Sequence, residues 1–478
     1  MQNKWIHIIG IAGVTTSAVA LMYKNLGWKV TGSDKGFYPP ISDFLKTHKI
    51  DFKPNYKADR LTDANGNHPT FVLMQGLKGD SNPEVIEAKK LNIQIVNYTD
   101  IIAEHVINKD NSIVVAGTYG KTTTTSLLVN IFLAANQNIS WMFGGISSNS
   151  ILPIKSKTDK TKYSIVEGDE YIISLQDRNP KFSKYQPTHL LLTSCKWDHT
   201  DIYKSENEYL EVFASLIRQL PEHGILVINA NDKNCVKLAK ESSNKKVYYS
   251  SNLSKSLIKP DWYLLKESKP LMTLVKQTDT TEIIPFQTTV LGEFNLENIL
   301  AATALCSTLG VRKEYIQQGL EDFKGIKRRL EKVYEDAKCV LIDDFASSPA
   351  KVIGSLSAIK QEYPSSKILV IYEPNTGSRT TEAISTYKDA FILADKVIFP
   401  RFTKLPASDL KHIDEDDLAR QLKNYGNDIQ VIPDDETLLK FISEYKSNNK
   451  NHTVIAFMGS HGFRNMIVQV KNNLNNAS

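Results

Sequence analysis

Short apolar runs alternate with longer stretches of mixed polarity along almost the whole chain. The runs have the length of buried strands, as at Trp5–Gly10, Ile113–Ala116 and Val340–Ile342. The stretches between them have the length and spacing of helices. Alternating strands and helices are typical of α/β folds, in which helices cover both faces of a parallel sheet. The pattern therefore predicts an α/β protein built on parallel sheets.

The chain is too long for one ordinary hydrophobic core. It has 478 residues, whereas single cores stop growing at about 250–300 residues. We predict three domains, at residues 1–107, 108–326 and 327–478. Residues 240–290 are polar with short alternating stretches, which predicts a peripheral β excursion.

Composition narrows the class of protein. Charged residues make up 23% and hydrophobic residues 41%, as in globular proteins. The net charge of +5 is too small and dispersed to indicate a nucleic-acid partner. No apolar run reaches the roughly 18 residues of a membrane span. The four scattered cysteines and the lack of a secretory cleavage pattern predict free thiols and a cytoplasmic location.

The most informative segment is a glycine-containing turn between a strand and a helix, in NSIVVAGTYGKTTTTS at residues 111–126. Backbone N–H groups and the helix dipole at such a turn attract polyphosphates. Lys121 can reach the β- and γ-phosphates of ATP, and the hydroxyl of Thr122 or Thr123 can bind Mg²⁺. The glycine usually found five positions before Gly120 is Val115 here. An ordinary strand–helix turn without a ligand is the alternative.

The first block carries a weaker, Rossmann-like pattern. A turn, Gly10-Ile-Ala-Gly13, follows the first strand, and Asp34 ends the second strand. Such a pattern is typical of dinucleotide-binding units. Taken alone, it leaves a strand–helix–strand unit without a ligand equally open.

Acidic residues follow a strand in the central block, in Glu167-Gly-Asp169-Glu170. Side chains at the carboxyl ends of parallel strands face the ligand crevice. Mg²⁺ prefers oxygen ligands, so Glu167 is a candidate metal ligand, with a solvated loop carboxylate as the alternative. His199 also follows a strand, but its spacing alone favours a loop histidine bonded to its neighbours.

Two asparagines and two arginines later in the chain are candidate nucleotide contacts. Asn295 and Asn298 share a helix face, and their carboxamides can bind the edge of an adenine, although Asn295 can equally be a helix N-cap. Arg328 and Arg329 can stabilise phosphate charge, with a solvated basic turn as the alternative. In the last block, Ser348-Pro349 predicts a helix start and Gly459–Gly462 a turn after a strand.

These segments, in this order, resemble the Mur ligase family, whose members build the peptide of bacterial peptidoglycan. The matching elements are Gly117–Thr122, Glu167, Asp198-His199, Gly292–Asn298, Arg329 and Asp343-Asp344. The resemblance covers essentially the whole chain. It implies an N-terminal Rossmann-like UDP-binding domain, a central P-loop ATPase-like domain, and a C-terminal Rossmann-like domain that binds the amine substrate.

The resemblance also implies roles for individual residues. Lys121, Glu167, His199 and Arg329 would be catalytic, and Thr122, Glu167 and His199 would hold Mg²⁺. ATP would contact Gly117, Thr118, Tyr119, Gly120, Lys121, Thr122, Thr123, Asn295, Asn298, Arg329 and Asp344. The UDP-sugar would contact Gly10, Gly13, Thr15, Ser33, Asp34 and Asn82. The other substrate contacts would be Asp169, Glu170, Arg178 and Lys181.

Within the family, Tyr38-Pro39-Pro40 and Asp177–Phe182 most resemble the branch that recycles an intact tripeptide. That branch joins L-alanyl-γ-D-glutamyl-meso-diaminopimelate to UDP-N-acetylmuramate. The implied enzyme uses UDP-N-acetylmuramate, ATP and a peptide or amino-acid amine, and would be a monomer or weak homodimer. Departures from the family pattern are found at Ser194, Lys196, Ser347 and Ser348. The alternatives are an L-alanine ligase, a P-loop kinase or NTPase, and a non-catalytic sensor of UDP-sugar peptides.

Overall fold

The structure is a computed structural model that describes residues 4–74, 81–174, 177–199, 202–268, 271–276, 283–288, 290–403, 413–425, 429–460 and 462–476. The chain forms two compact units. One comprises Met1–Thr289 and Asn295–Lys324, and the other comprises Val290–Phe294 and Gly325–Ser478. The helices and strands of both units confirm the predicted α/β class. The domain boundaries at residues 107 and 326 stay predictions.

The first unit begins with a parallel sheet. Its strands are β1 (Trp5–Ile9), β2 (Lys29–Asp34), β3 (Asp51–Pro54), β4 (Phe71–Met74) and β5 (Gln94–Val96). Its helices are α1 (Val14–Asn25), α2 (Ile41–Thr47), α3 (Pro83–Lys90) and α4 (Tyr98–His105). The strand order β3-β2-β1-β4-β5 is that of a doubly wound sheet. The central strand β1 is buried throughout, and β2 and β4 pair with its two edges.

The second sheet of this unit holds the predicted phosphate turn. Its strands are β6 (Ser112–Ala116), β7 (Ile139–Met142), β8 (Ile154–Lys155), β9 (Tyr163–Gly168), β10 (His189–Leu192), β11 (Ile225–Asn229), β12 (Lys245–Ser250), β13 (Trp262–Ser268), β14 (Leu271–Lys276) and β15 (Ile283–Gln287). The helices are α5 (Lys121–Ala134), α6 (Glu206–Ile217), α7 (Lys233–Lys240), α8 (Glu293–Thr308) and α9 (Lys313–Glu321). The strand order is β15-β14-β13-β12-β11-β10-β6-β9-β7-β8.

Strand β6 lies between β10 and β9, and both pairings are parallel. The carboxyl ends of these three strands therefore meet at one edge, where the phosphate turn follows β6. At the β15 edge of this sheet, β14 pairs in an antiparallel manner with both β13 and β15. They confirm, for the described residues, the peripheral β excursion predicted between residues 240 and 290.

The second unit contains a third sheet. Its strands are β16 (Glu331–Glu335), β17 (Cys339–Asp344), β18 (Lys367–Glu373), β19 (Lys396–Phe399), β20 (Ile429–Val431) and β21 (Thr453–Gly459). The helices are α10 (Pro349–Glu362), α11 (Glu415–Leu422), α12 (Asp435–Asn448) and α13 (Met466–Asn476). The strand order is β16-β17-β21-β18-β19-β20. Helix α10 starts at Pro349 after Ser348, as predicted. The predicted turn after β21 includes His461, which lies outside the described residues.

Apolar side chains from both sheets of the first unit pack into one large core, which runs from β1 and α1 to β6, β10 and α6. The third sheet is covered by a separate apolar cluster on each face. All four cysteines are buried, and none forms a disulfide in the structure. Within the described residues, no helix combines the length and apolar character needed to cross a membrane.

Candidate functional site

The phosphate turn has a backbone that requires glycine. Strand β6 ends at Ala116, and Gly117 and Gly120 follow with φ angles of +136° and +80°. A Cβ on Gly117 would lie 2.3 Å from Thr193 Oγ1 and 2.7 Å from the carbonyl oxygen of Ser194. No side chain fits there, because β10 ends directly beside the turn. We call residues 117–121 the phosphate hairpin.

The end of β10 holds the phosphate hairpin in place. The backbone N–H of Thr118 donates to the Ser194 carbonyl at 2.9 Å, and that of Tyr119 donates to Ser194 Oγ at 3.1 Å. The Thr118 hydroxyl donates to the Lys196 carbonyl at 2.7 Å. Ser194 and Lys196 depart from the family pattern, but they still anchor the hairpin through their backbones and the Ser194 hydroxyl.

Lys121 opens α5 and is already paired. Its Nζ donates to the Gly117 carbonyl at 2.6 Å and to Glu170 Oε2 at 2.8 Å. Burial lowers the pKa of Lys121, but the carboxylates of Glu170 and Asp169 outweigh burial and raise it overall. The ammonium group is therefore held charged at the helix N-terminus, where it adds to the attraction for phosphate.

Glu170 lies inside the protein, and its predicted contact with substrate stays a prediction. The side chain is fully buried. Its carboxylate lies against Lys121 and against His199, with 3.4 Å between His199 Nε2 and Glu170 Oε1. Strand β9 ends at Gly168, and Glu170 follows it by two residues with its carboxylate held between these two side chains.

Thr122 and Glu167 lie together, as the metal prediction requires. Thr122 Oγ1 donates to Glu167 Oε1 at 2.9 Å, and the backbone N–H of Gly144 donates to Glu167 Oε2 at 2.6 Å. A hydroxyl and a carboxylate are oxygen ligands of the kind that Mg²⁺ prefers, and Mg²⁺ usually adds waters and substrate phosphates to one or two protein groups. Across the described ranges, no group of His, Cys, Asp and Glu side chains is arranged to enclose a metal. The residues present thus fit Mg²⁺ held jointly with phosphate.

His199 lies beside Glu170 and Tyr171. It has a φ of +52°, and the Tyr171 ring packs edge-on against it with centroids 4.8 Å apart. Burial lowers the pKa of His199, whereas the Glu170 carboxylate raises it, and the raising effect is larger. Since Mg²⁺ favours oxygen over imidazole nitrogen, the metal role of His199 stays a prediction. Thr200 and Asp201, which extend its motif, lie outside the described residues.

The structure brings two of the predicted substrate residues together near this edge. Lys181 Nζ donates to Asp169 Oδ2 at 2.7 Å, and the Lys181 ammonium lies 5.3 Å from the centre of the Tyr171 ring. Burial raises the pKa of Asp169, but Lys181 and Lys121 outweigh it and hold the pKa well below its usual range. Arg178 donates to the Ile202 carbonyl at 3.3 Å. Contact of these residues with substrate stays a prediction.

The asparagine pair lies against the phosphate hairpin. Thr124 Oγ1 donates to Asn298 Oδ1 at 3.1 Å, and Asn298 Nδ2 donates to Asn295 Oδ1 at 3.2 Å. A Cβ on Gly120 would lie 2.3 Å from Asn298 Oδ1. Helix α8 begins at Glu293, so the alternative of Asn295 as an N-cap was wrong: Asn295 lies inside the first turn. Contact with adenine stays a prediction for both residues.

The glycine turn of the first sheet is closed by Asp34. Gly10 has a φ of +83°, Gly13 is the N-cap of α1, and Thr15 is half-buried in its first turn. The backbone N–H of Ala12 donates to Asp34 Oδ2 at 2.9 Å. Burial raises the pKa of Asp34, and hydrogen bonds to its carboxylate only partly oppose this. Asp34 therefore shapes the turn, and its contact with UDP stays a prediction.

A buried polar network behind this turn was missed by the sequence analysis. Glu84, fully buried at the start of α3, accepts hydrogen bonds from the Ser33 hydroxyl and from the backbone N–H of Lys57. His7 Nε2 lies 3.3 Å from Glu84 Oε2. The Ser33 hydroxyl donates to Glu84, and its contact with UDP stays a prediction. Asn82, another predicted UDP contact, caps α3, because its Oδ1 accepts from the Glu84 N–H at 2.9 Å.

The remaining predicted ATP contacts belong to the second unit. The Arg329 guanidinium lies 5.0 Å from the centre of the Phe345 ring, and Asp344 Oδ1 accepts from the Leu330 N–H at 3.3 Å. Burial raises the pKa of Asp344, an effect that the Ser355 hydroxyl and Arg329 partly oppose. Both side chains are thus ordered by their own unit, and their contact with ATP stays a prediction.

Three models of known protein families match this chain. The family description "Mur ligase family, catalytic domain" matches residues 5–109, "Mur ligase middle domain" matches residues 115–306, and "Mur ligase, glutamate ligase domain" matches residues 328–461. The chain belongs to the Mur ligase family. It is therefore an ATP-dependent, ADP-forming ligase of peptidoglycan synthesis, and the predicted three-domain architecture of this family is confirmed.

Relatives of this Mur ligase act on two kinds of acceptor. It is 28% identical over 459 residues, covering 96% of this chain and 93% of the relative, to the UDP-N-acetylmuramate–L-alanine ligase of Acetivibrio thermocellus. It is also 28% identical over 393 residues, covering 81% and 82%, to the UDP-N-acetylmuramate–L-alanyl-γ-D-glutamyl-meso-2,6-diaminoheptandioate ligase of Haemophilus influenzae.

Solved structures share the fold. The UDP-N-acetylmuramate-alanine ligase of Thermotoga maritima has a TM-score of 0.77 at 22% identity, with 99% of both chains covered. A murein peptide ligase from Psychrobacter arcticus has a TM-score of 0.75 at 23% identity, again with 99% of both chains covered. At these identities the likeness concerns the fold alone.

Proposed function

We propose that this Mur ligase joins the carboxylate of UDP-N-acetylmuramate to the amine of L-alanyl-γ-D-glutamyl-meso-diaminopimelate, with conversion of ATP to ADP and phosphate. The observation that carries the ATP-dependent part of the proposal is the arrangement at the phosphate hairpin. There, Lys121 is charged at the N-terminus of α5, one residue before the Thr122–Glu167 pair. A cation, a helix N-terminus and two oxygen ligands form a site for a triphosphate with its metal.

The chemistry begins with transfer of the γ-phosphoryl group to the sugar carboxylate. This gives an acyl phosphate and ADP, and phosphate replaces oxide as the leaving group. The peptide amine then attacks the acyl carbon, the carbon–oxygen bond to phosphate breaks, and the nitrogen loses a proton. Lys121 would neutralise charge on the transferred phosphoryl group. Mg²⁺, held by Thr122 and Glu167, would supply further neutralisation of the phosphate oxygens.

The choice of tripeptide as acceptor is supported by charge and by sequence. The tripeptide carries several carboxylates, and the segment between β9 and β10 offers two cations, Lys181, which pairs with Asp169, and Arg178, which donates to the Ile202 carbonyl. Single L-alanine has one carboxylate and needs fewer cations. The Tyr38-Pro39-Pro40 segment and the relative from Haemophilus influenzae favour the same acceptor.

L-Alanine is the second candidate acceptor. Alanine ligases from Acetivibrio thermocellus and Brachyspira hyodysenteriae are each 28% identical to this chain over 96% of its length. The two candidates share the same phosphoryl-transfer chemistry and differ only in the amine. The phosphate hairpin therefore supports both equally, and the acceptor must be decided by assay.

The test is ADP release by the full chain with UDP-N-acetylmuramate, ATP, Mg²⁺ and one amine at a time, with mass spectrometry of the product. We expect release with the tripeptide and a product whose mass shows one new amide. Release with L-alanine alone would transfer the assignment to the alanine ligases. ADP release without an amide product would indicate an NTPase or kinase, and no release with any amine would reject the proposal.

A further inference from the structure

The carboxylate of Glu170 joins the phosphate hairpin to His199. Glu170 Oε2 accepts from Lys121 Nζ at 2.8 Å, and Oε1 lies 3.4 Å from His199 Nε2. Oε1 also accepts from the Tyr209 hydroxyl at 3.2 Å, and the Glu170 backbone carbonyl accepts from the Tyr203 hydroxyl at 2.5 Å. Both oxygens and the backbone of Glu170 are therefore fixed.

Tyr209 lies between this carboxylate and the hairpin. Its hydroxyl, which donates to Glu170, lies 2.9 Å from Oγ1 of Thr118, the second residue of the hairpin. Its ring is fully buried on α6, packed edge-on against Tyr203 and Phe213 with centroids 5.4 and 5.3 Å away. Because this ring cannot shift without displacing its neighbours, the hydroxyl is a fixed point between Thr118 and Glu170.

We propose that Glu170 is a positioning residue of the ligase, which, held by Tyr209, sets where the Lys121 ammonium and the His199 ring stand relative to the transferred phosphoryl group. The proposal rests on the proposed function. A buried ion pair contributes little net stability, so stability alone does not account for a charged side chain at this place. Glu170 helps to keep Lys121 charged, but it is itself an anion beside a site for an anionic triphosphate. These two effects on nucleotide affinity oppose each other, so the fixed geometry of Glu170 points to orientation rather than to affinity.

This role predicts a separation of affinity from turnover. Glu170→Gln keeps the shape of the side chain and removes its charge. We expect kcat of ADP release to fall about 10²-fold, the size of effect found when a preorganised charge is lost. The Kd for Mg²⁺ and the non-hydrolysable ATP analogue AMPPNP, measured by calorimetry on the full chain, should stay equal or become tighter. A residue that only supports the fold would weaken AMPPNP binding and turnover to the same degree.

Tyr209→Phe removes only the hydroxyl and should lower kcat about 5-fold, since one hydrogen bond to a carboxylate is lost. In the Glu170→Gln background it should have little further effect, because the two residues act as one unit. The matched control is Tyr185→Phe. Tyr185 is also fully buried, but its hydroxyl has no hydrogen-bond partner among the described residues, so its loss should leave kcat unchanged.

The proposal is overturned if Tyr209→Phe turns over like Tyr185→Phe. It is also overturned if Glu170→Gln weakens AMPPNP binding as much as it lowers kcat. If the wild-type chain binds AMPPNP but releases no ADP with any amine, the proposed function has failed instead. Glu170 is then judged by binding alone: Lys121→Ala must weaken AMPPNP binding, and Glu170→Gln must not.

Discussion

Alanine at Gly120 should damage the ATP site far more than alanine at an equally strained glycine elsewhere. Gly120 precedes α5 with a φ of +80°, and Gly310 follows α8 with a φ of +77°. Left-handed backbone costs a non-glycine residue about 1–2 kcal/mol, so both substitutions carry this strain. They differ in what the new methyl group meets.

At Gly310 nothing lies within 4 Å of the new Cβ, whereas at Gly120 it would lie 2.3 Å from Asn298 Oδ1. Carbon and oxygen need about 1 Å more than this, so either the Asn298 carboxamide or the hairpin must move by about 1 Å. Moving Asn298 breaks its hydrogen bond from Thr124, worth about 1 kcal/mol. A displacement of this size at a reacting centre costs about 10²-fold in rate.

The assay is kcat/KM for ATP in the ADP-release reaction, together with the free energy of unfolding in urea. Both variants should lose about 1–2 kcal/mol of stability, with up to about 1 kcal/mol more for Gly120→Ala. Only Gly120→Ala should lose about 10²-fold in kcat/KM. Equal ATP kinetics for Gly120→Ala and Gly310→Ala would refute the placement of the triphosphate at this hairpin.

Three further results are expected. Lys121→Ala should lower turnover by at least about 10²–10³-fold. Because this change removes the lysine partner of the buried Glu170, circular dichroism of Lys121→Ala/Glu170→Gln checks that the loss of turnover is not caused by unfolding. Thr122→Val should raise the Mg²⁺ concentration needed for half-maximal rate, whereas Thr125→Val, whose hydroxyl donates to the Lys121 carbonyl, should not. Burial of His189 lowers its pKa from 6.5 to about 4, so protonation of this ring destabilises the folded state. The free energy of unfolding should therefore fall by about 3 kcal/mol as the pH drops from about 6.5 to below about 4. In urea titrations across this range, His189→Gln should be less pH-dependent than wild type, and an unchanged slope would contradict this.

The strands, the hairpin and the helix after it were predictable because their signals are local. The apolar run Ile113–Ala116, the glycines at 117 and 120, and Lys121 follow one another within a few residues. Parallel pairing then brings strand ends together, which is how Glu167 meets Thr122. One local interpretation was wrong, that of Asn295 as the N-cap of a helix. Helix α8 begins at Glu293, after Gly292 with a φ of +92°, so Asn295 lies inside the helix.

Side-chain partners distant in sequence were not predictable. Glu170 pairs with Lys121, 49 residues away, and no local signal indicated this partner. The hydroxyl of Ser33 likewise donates to Glu84, 51 residues away. The residues next to a carboxylate in the sequence do not show whether it will be exposed or buried, because burial depends on packing against distant segments.

The central claim is that ATP energises the carboxylate of UDP-N-acetylmuramate through an acyl phosphate. It is tested most directly by labelling that carboxylate with oxygen-18 and analysing the released phosphate by mass spectrometry during amide formation. The account predicts that each phosphate released carries one labelled oxygen from the sugar. Unlabelled phosphate accompanied by amide product would contradict it.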